Sequence, residues 1–190
     1  MKKFAIFILK LFGWKATGIF PVQYKKLVIL EAPHTSNLDY FIGMMCIYAV
    51  GAKVNVIIKK ESFIWPFSGL LKKAGGIPID RKGSSKKVDA IASLIKKQDS
   101  INLGITPEGT RSLSTKWKKG YYYIALKAGV PILLSSIDYK NKIGNFGPLL
   151  FPTGDYDHDF KQIEEYYKGI TARYPEKYNL STMYIEHNDE

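Results

Sequence analysis

KKLVILEAPHTSNLDYFIGMMCIYAV, residues 25–50, changes hydrophobic pattern across a short polar turn. KKLVILEA (25–32) is apolar and β-branched enough for a buried strand. LDYFIGMMCIYAV (38–50) is apolar and long enough for a buried helix, with Thr35, Ser36 or Asn37 available as its N-cap. The turn carries His34, five positions before Asp39. A histidine there lies at the edge of a sheet, and a carboxylate one turn into the helix can fix its tautomer and stabilise the imidazolium formed in base catalysis. The spacing alone is weakly specific, since many chains carry such a pair by chance and a lone loop histidine is commonly a surface residue.

Outward from this stretch the chain alternates strands and helices. KVNVII (53–58), GIPI (76–79), INLGI (101–105) and ILLSSIDY (132–139) read as strands. SFIWPFSGLLKKA (62–74) reads as a helix broken near Pro66; VDAIASLIKKQ (88–98) and GYYYIALKA (120–128) also read as helices. DHDFKQIEEYYKGITARY (157–174) has Phe160, Ile163, Tyr167 and Ile170 on one face of a surface helix. The expectation is an α/β single domain: a mostly parallel or mixed central sheet flanked by helices, with an N-terminal amphipathic helix. Functional loops should gather at the strand ends.

The 190 residues are ordinary for a folded protein, 46% hydrophobic and 24% charged. Cys46, the only cysteine, lies in an apolar run and reads as a buried small hydrophobe. The three histidines, His34, His158 and His187, are far apart and no Cys/His ligand spacing appears, so no metal is expected. Charge is uneven. Residues 1–120 hold 21 Lys+Arg against 7 Asp+Glu, leaving +14; residues 121–190 hold 7 against 10, leaving −3. Such a distribution suits an anionic partner: a membrane surface, a phosphorylated substrate, coenzyme A or nucleic acid.

MKKFAIFILKLFGWKATGIF (1–20) is interrupted by Lys10 and Lys15, and falls short of the ~18–20 apolar residues of a spanning helix. As a helix it sets Phe4, Phe7, Ile8, Leu11, Phe12 and Trp14 largely on one side, with lysines at the edges. That suits a helix in the headgroup region of an anionic membrane; packing on the protein's own core is the competing reading. We therefore divide the chain into an interfacial segment, 1–22, and a main domain, 23–190.

Three later loops are also rich in polar groups. GIPIDRKGSSKK (76–87) places Asp80 and Arg81 directly after a strand, as an anion clamp or a surface ion pair. ITPEGTRSLSTKWKKG (105–120) packs Glu108, Gly109, Thr110, Arg111 and Ser112 into one turn. There Gly109 allows close approach of an anion, Thr110 and Arg111 can donate to phosphate, and Glu108 can orient Arg111 or accept from a substrate hydroxyl. Trp117, Lys118 and Lys119 add an aromatic and two cations at the same end. AGVPILL (128–134) reads as packing.

HTSNLD (34–39), GGIPIDR (75–81), TPEGTRS (106–112) and GVPILL (129–134), in that order, resemble the four blocks of the glycerolipid acyltransferase family, those acting on 1-acyl-sn-glycerol-3-phosphate and related lipids. The resemblance covers about residues 30 to 135. It implies an O-acyltransferase in which His34 is the general base, oriented by Asp39. Arg81, Glu108, Gly109, Thr110 and Arg111 would bind the acceptor's phosphate. The donor would be an acyl thioester, acyl-CoA or acyl carrier protein, and the acceptor a lysophospholipid, on the cytoplasmic face of an anionic membrane. No acyl-enzyme is expected from it, and no cofactor beyond the donor and no nucleic-acid partner are expected. Pro33 stands where the family often has Asn, and Thr106 where Phe is usual, which leaves the acceptor open. A basic nucleic-acid-binding domain is the alternative from another class, weakened by the lack of cations interleaved with aromatics.

Overall fold

The structure, a computed structural model, describes residues 1–62, 68–73, 75–79 and 84–180. Seven strands form one sheet: β1 (Lys15–Gly18), β2 (Lys26–Glu31), β3 (Asn55–Lys59), β4 (Gly76–Ile79), β5 (Ile101–Ile105), β6 (Ile132–Asp138) and β7 (Ile143–Leu150). Their spatial order is β1-β7-β6-β2-β5-β3-β4. Every neighbouring pair is parallel except β6 with β7, so the sheet is mixed, as expected. Among the described residues the α-helices are α1 (Lys2–Leu11), α2 (Asn37–Val50), α3 (Ser68–Lys73), α4 (Ser84–Lys97), α5 (Gly120–Ala128) and α6 (Tyr156–Tyr167).

β2 lies at the centre and shows why both sheet faces are covered. Its alternate side chains enter different cores. Leu27 and Ile29 pack with Ala5 and Leu9 of α1, and with Ile42, Met45 and Ile47 of α2. Val28 and Leu30 pack with Ile95 of α4, Tyr121 and Tyr122 of α5, and Phe160, Ile163 and Tyr167 of α6. From β2 the chain builds outward both ways, to β5-β3-β4 on one side and β6-β7-β1 on the other. The C-terminal ends of the parallel strands β2, β5 and β6 therefore sit side by side at the switch point, where open α/β sheets bind ligands.

Four differences from the sequence reading have physical causes. α1 stops at Leu11, because Gly13 turns the backbone left-handed (φ 74°), and Trp14 is buried beyond the helix against Tyr139. Residues 15–18, inside the segment set apart as 1–22, form β1 and pair with β7 in the main sheet. β7, unexpected, is a strand despite Gly144, Gly147 and Pro148, because it pairs along much of β6. α6 ends at Tyr167, not 174, with Gly169 at φ 86°. Among the described residues, no helix is long and apolar enough to cross a membrane.

Candidate active site

The turn after β2 begins with a cis Ala32–Pro33 peptide and closes in a capping box at the start of α2. Ser36 is the N-cap and its Oγ accepts from the Leu38 N–H at 3.0 Å. Asp39, the third helical residue, reaches back: its Oδ2 accepts from the N–H of Ser36 at 2.8 Å and of Thr35 at 2.7 Å. One carboxylate thus both caps the helix and receives the imidazole, with His34 Nδ1 3.4 Å from Asp39 Oδ2. The Asp39 side chain is 1% exposed and that of His34 20%. Burial pushes the Asp39 carboxyl up. Hydrogen bonds from His34, Tyr139, Ser36 and Thr35 outweigh it and hold the group below the usual carboxylate range. Asp39 is therefore a fixed anion beside Nδ1, which leaves Nε2 free for a substrate proton.

Tyr139, just past the end of β6, donates its hydroxyl to Asp39 Oδ1 at 2.6 Å. Burial, then the neighbouring carboxylate, raise its phenol well above the usual range, so it remains a neutral donor. The chain after α6 returns over the same turn: the Tyr174 N–H donates to Thr35 Oγ1 at 3.3 Å, and Arg173 reaches Ser36 Oγ at 3.5 Å. The sequence reading missed both residues. In the sequence Tyr139 is marked only as the end of a strand, and Arg173 carries one signal, as the only arginine among residues 121–190.

Glu108 has a different task from the two foreseen. It is 3% exposed, and its Oε1 accepts from the His34 backbone N–H at 3.0 Å, clasping the loop after β5 to the loop after β2. Burial raises its carboxyl to about 7. Gly109, at φ 63°, lies against the Lys118 side chain, and with Thr110, Arg111 and Ser112 it lines a polar cleft of about 370 Å³ that includes His34 and Thr106. Arg111 is exposed and, among the described residues, has no ion-pair partner. Trp117 is not in the site. It is buried against Phe160 and Tyr167 and donates Nε1–H to the Asn179 carbonyl at 2.9 Å. Lys119 is drawn towards Asp157 and the Tyr156 ring. Asp80 and Arg81 lie outside the described residues.

On the other side of His34 a mostly apolar cavity of about 540 Å³ runs beneath α2. Ile29, Met44, Ile47, Val54, Val56 and Phe146 line it, with Glu31, Ser135, Ser136 and Thr106 among its polar residues and His34 at its mouth. Gly104 and Gly144 are also in its wall; a side chain at Gly104 would press on Val54, and the space beside Gly144 is taken by Cys46 Sγ. Cys46 lines the cavity as a thiol pushed by burial up to about 12. Among the described residues, no cluster of His, Cys, Asp or Glu is arranged to hold a metal.

A base fixed by a buried carboxylate, between an apolar cavity and a polar cleft, is an arrangement for moving an acyl group onto a hydroxyl. The model of the Acyltransferase family matches residues 15–137, from β1 to β6, and takes in His34, Asp39 and the 106–112 loop. The chain belongs to the Acyltransferase family. Tyr139 and Arg173 fall outside that match. The fold of this acyltransferase is similar to the crystal structure of the 1-acyl-sn-glycerophosphate (LPA) acyltransferase, PlsC, from Thermotoga maritima. The TM-score is 0.61, with 20% identity, over 99% of this chain and 78% of that one. No curated protein matches the chain.

Proposed function

We propose that the enzyme transfers a fatty acyl group from a thioester to the hydroxyl of a lysophospholipid, with 1-acyl-sn-glycerol-3-phosphate the first acceptor to test. One observation carries this reading. His34, Thr106 and Arg111 line both the apolar cavity and the polar cleft, so the base stands where an acyl chain and a phosphorylated headgroup would meet.

In this mechanism the acyl chain lies under α2 and the thioester carbonyl faces His34. The acceptor's phosphate lies among Gly109, Thr110, Arg111 and Lys118. His34 Nε2 takes the hydroxyl proton as the oxygen attacks the carbonyl carbon. Asp39 stabilises the imidazolium, and the proton then goes to the departing thiolate. Base catalysis of this kind is worth about 10²–10⁴-fold, so alignment of the two substrates must supply much of the rest. No acyl-enzyme forms.

The apolar surface supports action at a lipid interface. α1 buries Ala5 and Leu9 against α2 and exposes Phe4, Phe7, Leu11 and Phe12. Across a shared crevice stand the exposed Leu38 and Phe41 of α2, with Lys142 in the same wall. This patch, with the lysines beside it, fits an anionic membrane surface.

The deciding experiment screens lysophospholipid acceptors with acyl-CoA and acyl carrier protein donors, comparing wild type with His34→Ala. Transfer by wild type and loss in the variant supports the reading; equal transfer by both sinks the mechanism. Arg111→Ala should raise KM for the phosphorylated acceptor more than for the donor. Replacing Phe4, Phe7 and Phe12 by Ser should weaken liposome binding; deletion of residues 1–20 would also remove β1 and test something else.

A further inference from the structure

We infer that the acyl cavity is built for a chain carrying a hydroxyl close to its thioester, a 3-hydroxyacyl donor, which Glu31 recognises together with Ser135 and Thr106. This rests on the acyl-transfer reading of the same site and narrows its donor.

The argument starts from register. On the α2 face of the sheet Ile29 of β2 lies level with Gly104 of β5 and Leu133 of β6, an apolar row. Two residues further along, on the same face, Glu31 pairs with Ser135. Thr106 follows one residue after the last β2–β5 pair, Leu30 with Ile105, which brings it level with Glu31. Glu31, Ser135 and Thr106 all line the cavity, and they form a polar row where it opens towards His34. The apolar row lies about 7 Å deeper, at two strand residues of rise. A chain entering beside His34 meets the polar row first, with the carbons next to its carbonyl, and the apolar row afterwards.

A carboxyl has no packing reason to be in this row. Glu31 Oε1 is fully enclosed and has no hydrogen-bond partner, while the Ser135 side chain hydrogen-bonds the same carboxyl group, so the residue is held by the polar row and not by the apolar core. Burial raises the Glu31 carboxyl to about 8 against the lowering effect of the Ser135 hydrogen bond, with the nearby Asp39 and Glu108 carboxylates adding to the rise. Near neutral pH it is mostly a neutral acid, able to donate one hydrogen bond and accept another. An alkyl chain would lie against Glu31, Ser135 and Thr106 with nothing to bond them; a hydroxyl on the third carbon would exchange hydrogen bonds with this row.

The test measures kcat/KM for 3-hydroxyacyl and unsubstituted acyl donors of matched chain length, in wild type, Glu31→Gln and Glu31→Leu. Wild type should favour the hydroxylated donor by about tenfold or more, Glu31→Gln should keep part of that preference, and Glu31→Leu should reverse it. These ratios do not depend on how much of a variant folds. Equal use of both donors by wild type, or a ratio unmoved in Glu31→Leu, overturns the inference and means that solvent completes Glu31. Calorimetric binding of the free 3-hydroxy and unsubstituted fatty acids to wild type and Glu31→Leu separates the two readings. If no donor is turned over with any acceptor, the acyl-transfer reading fails, and the binding preference still decides what the polar row recognises.

Discussion

On the sheet face covered by α4, α5 and α6, Trp117 meets Phe160 and Tyr167 edge to face, Tyr156 stacks on Phe160, and Tyr121 and Tyr122 pack in the same core. On the face covered by α1 and α2, the strands offer Ile29, Gly104, Ser135 and Gly144, and a cavity remains. The same strands build both. The aromatic face is filled, and the opposite face keeps a cavity, with Asp39 and its donors at its mouth. Substitutions on one face should therefore move stability, and on the other, chemistry.

Asp39→Asn attacks that division hardest. It removes the anion beside His34 Nδ1 and turns an amide NH2 towards one set of Asp39's donors, and turnover should fall about 10³–10⁴-fold in initial-rate assays. Phe160→Ala, on the filled face, should cost about 3–5 kcal/mol in denaturant unfolding with KM unchanged for the protein that remains folded. An altered KM would show that the two faces are coupled. Gly104→Val narrows the cavity, since a Cβ there already meets Val54 at 3.3 Å. The preferred donor should become shorter, each excluded methylene being worth about 1–3 kcal/mol in a competition assay.

The smallest effect is Glu108→Gln. The wild-type carboxyl rises from 4.5 to about 7 on folding, so the native state holds a proton that the unfolded chain releases. Its contribution to stability is full below pH 4.5 and is lost as pH rises through about 7. Glutamine can still accept from the His34 N–H but does not titrate. Its Tm advantage over wild type should grow between these limits in scanning calorimetry. A constant difference would mean that Glu108 is ionised in both states.

Local pattern made much of this legible. The period change at residues 25–50 located β2, the turn and α2, and the polar loops after β2 and β5 were visible as loops. The family resemblance drawn from the four blocks agrees with the family match. β1 and β7 escaped because KATG is too short to show a period, and IGNFGPLL contains the residues that usually end strands. Tyr139, Arg173 and the clasp of Glu108 on His34 escaped for another reason. Each joins positions 70 or more residues apart, which only the closed sheet brings together. Trp117 shows the converse error: its neighbours in sequence are polar, but its neighbours in space are Phe160 and Tyr167.

α2 begins with Asn37, Leu38, Asp39, Tyr40 and Phe41, and only Asp39 of these is buried. The helix turn that anchors the dyad is thus also an apolar outer wall of the molecule, continuous with the exposed side of α1. If that wall beds in lipid, His34 lies within a few residues of the bilayer surface by construction. A lysophospholipid could then present its hydroxyl while its own tail stays among its neighbours, and the enzyme would need no second deep pocket for the acceptor's chain.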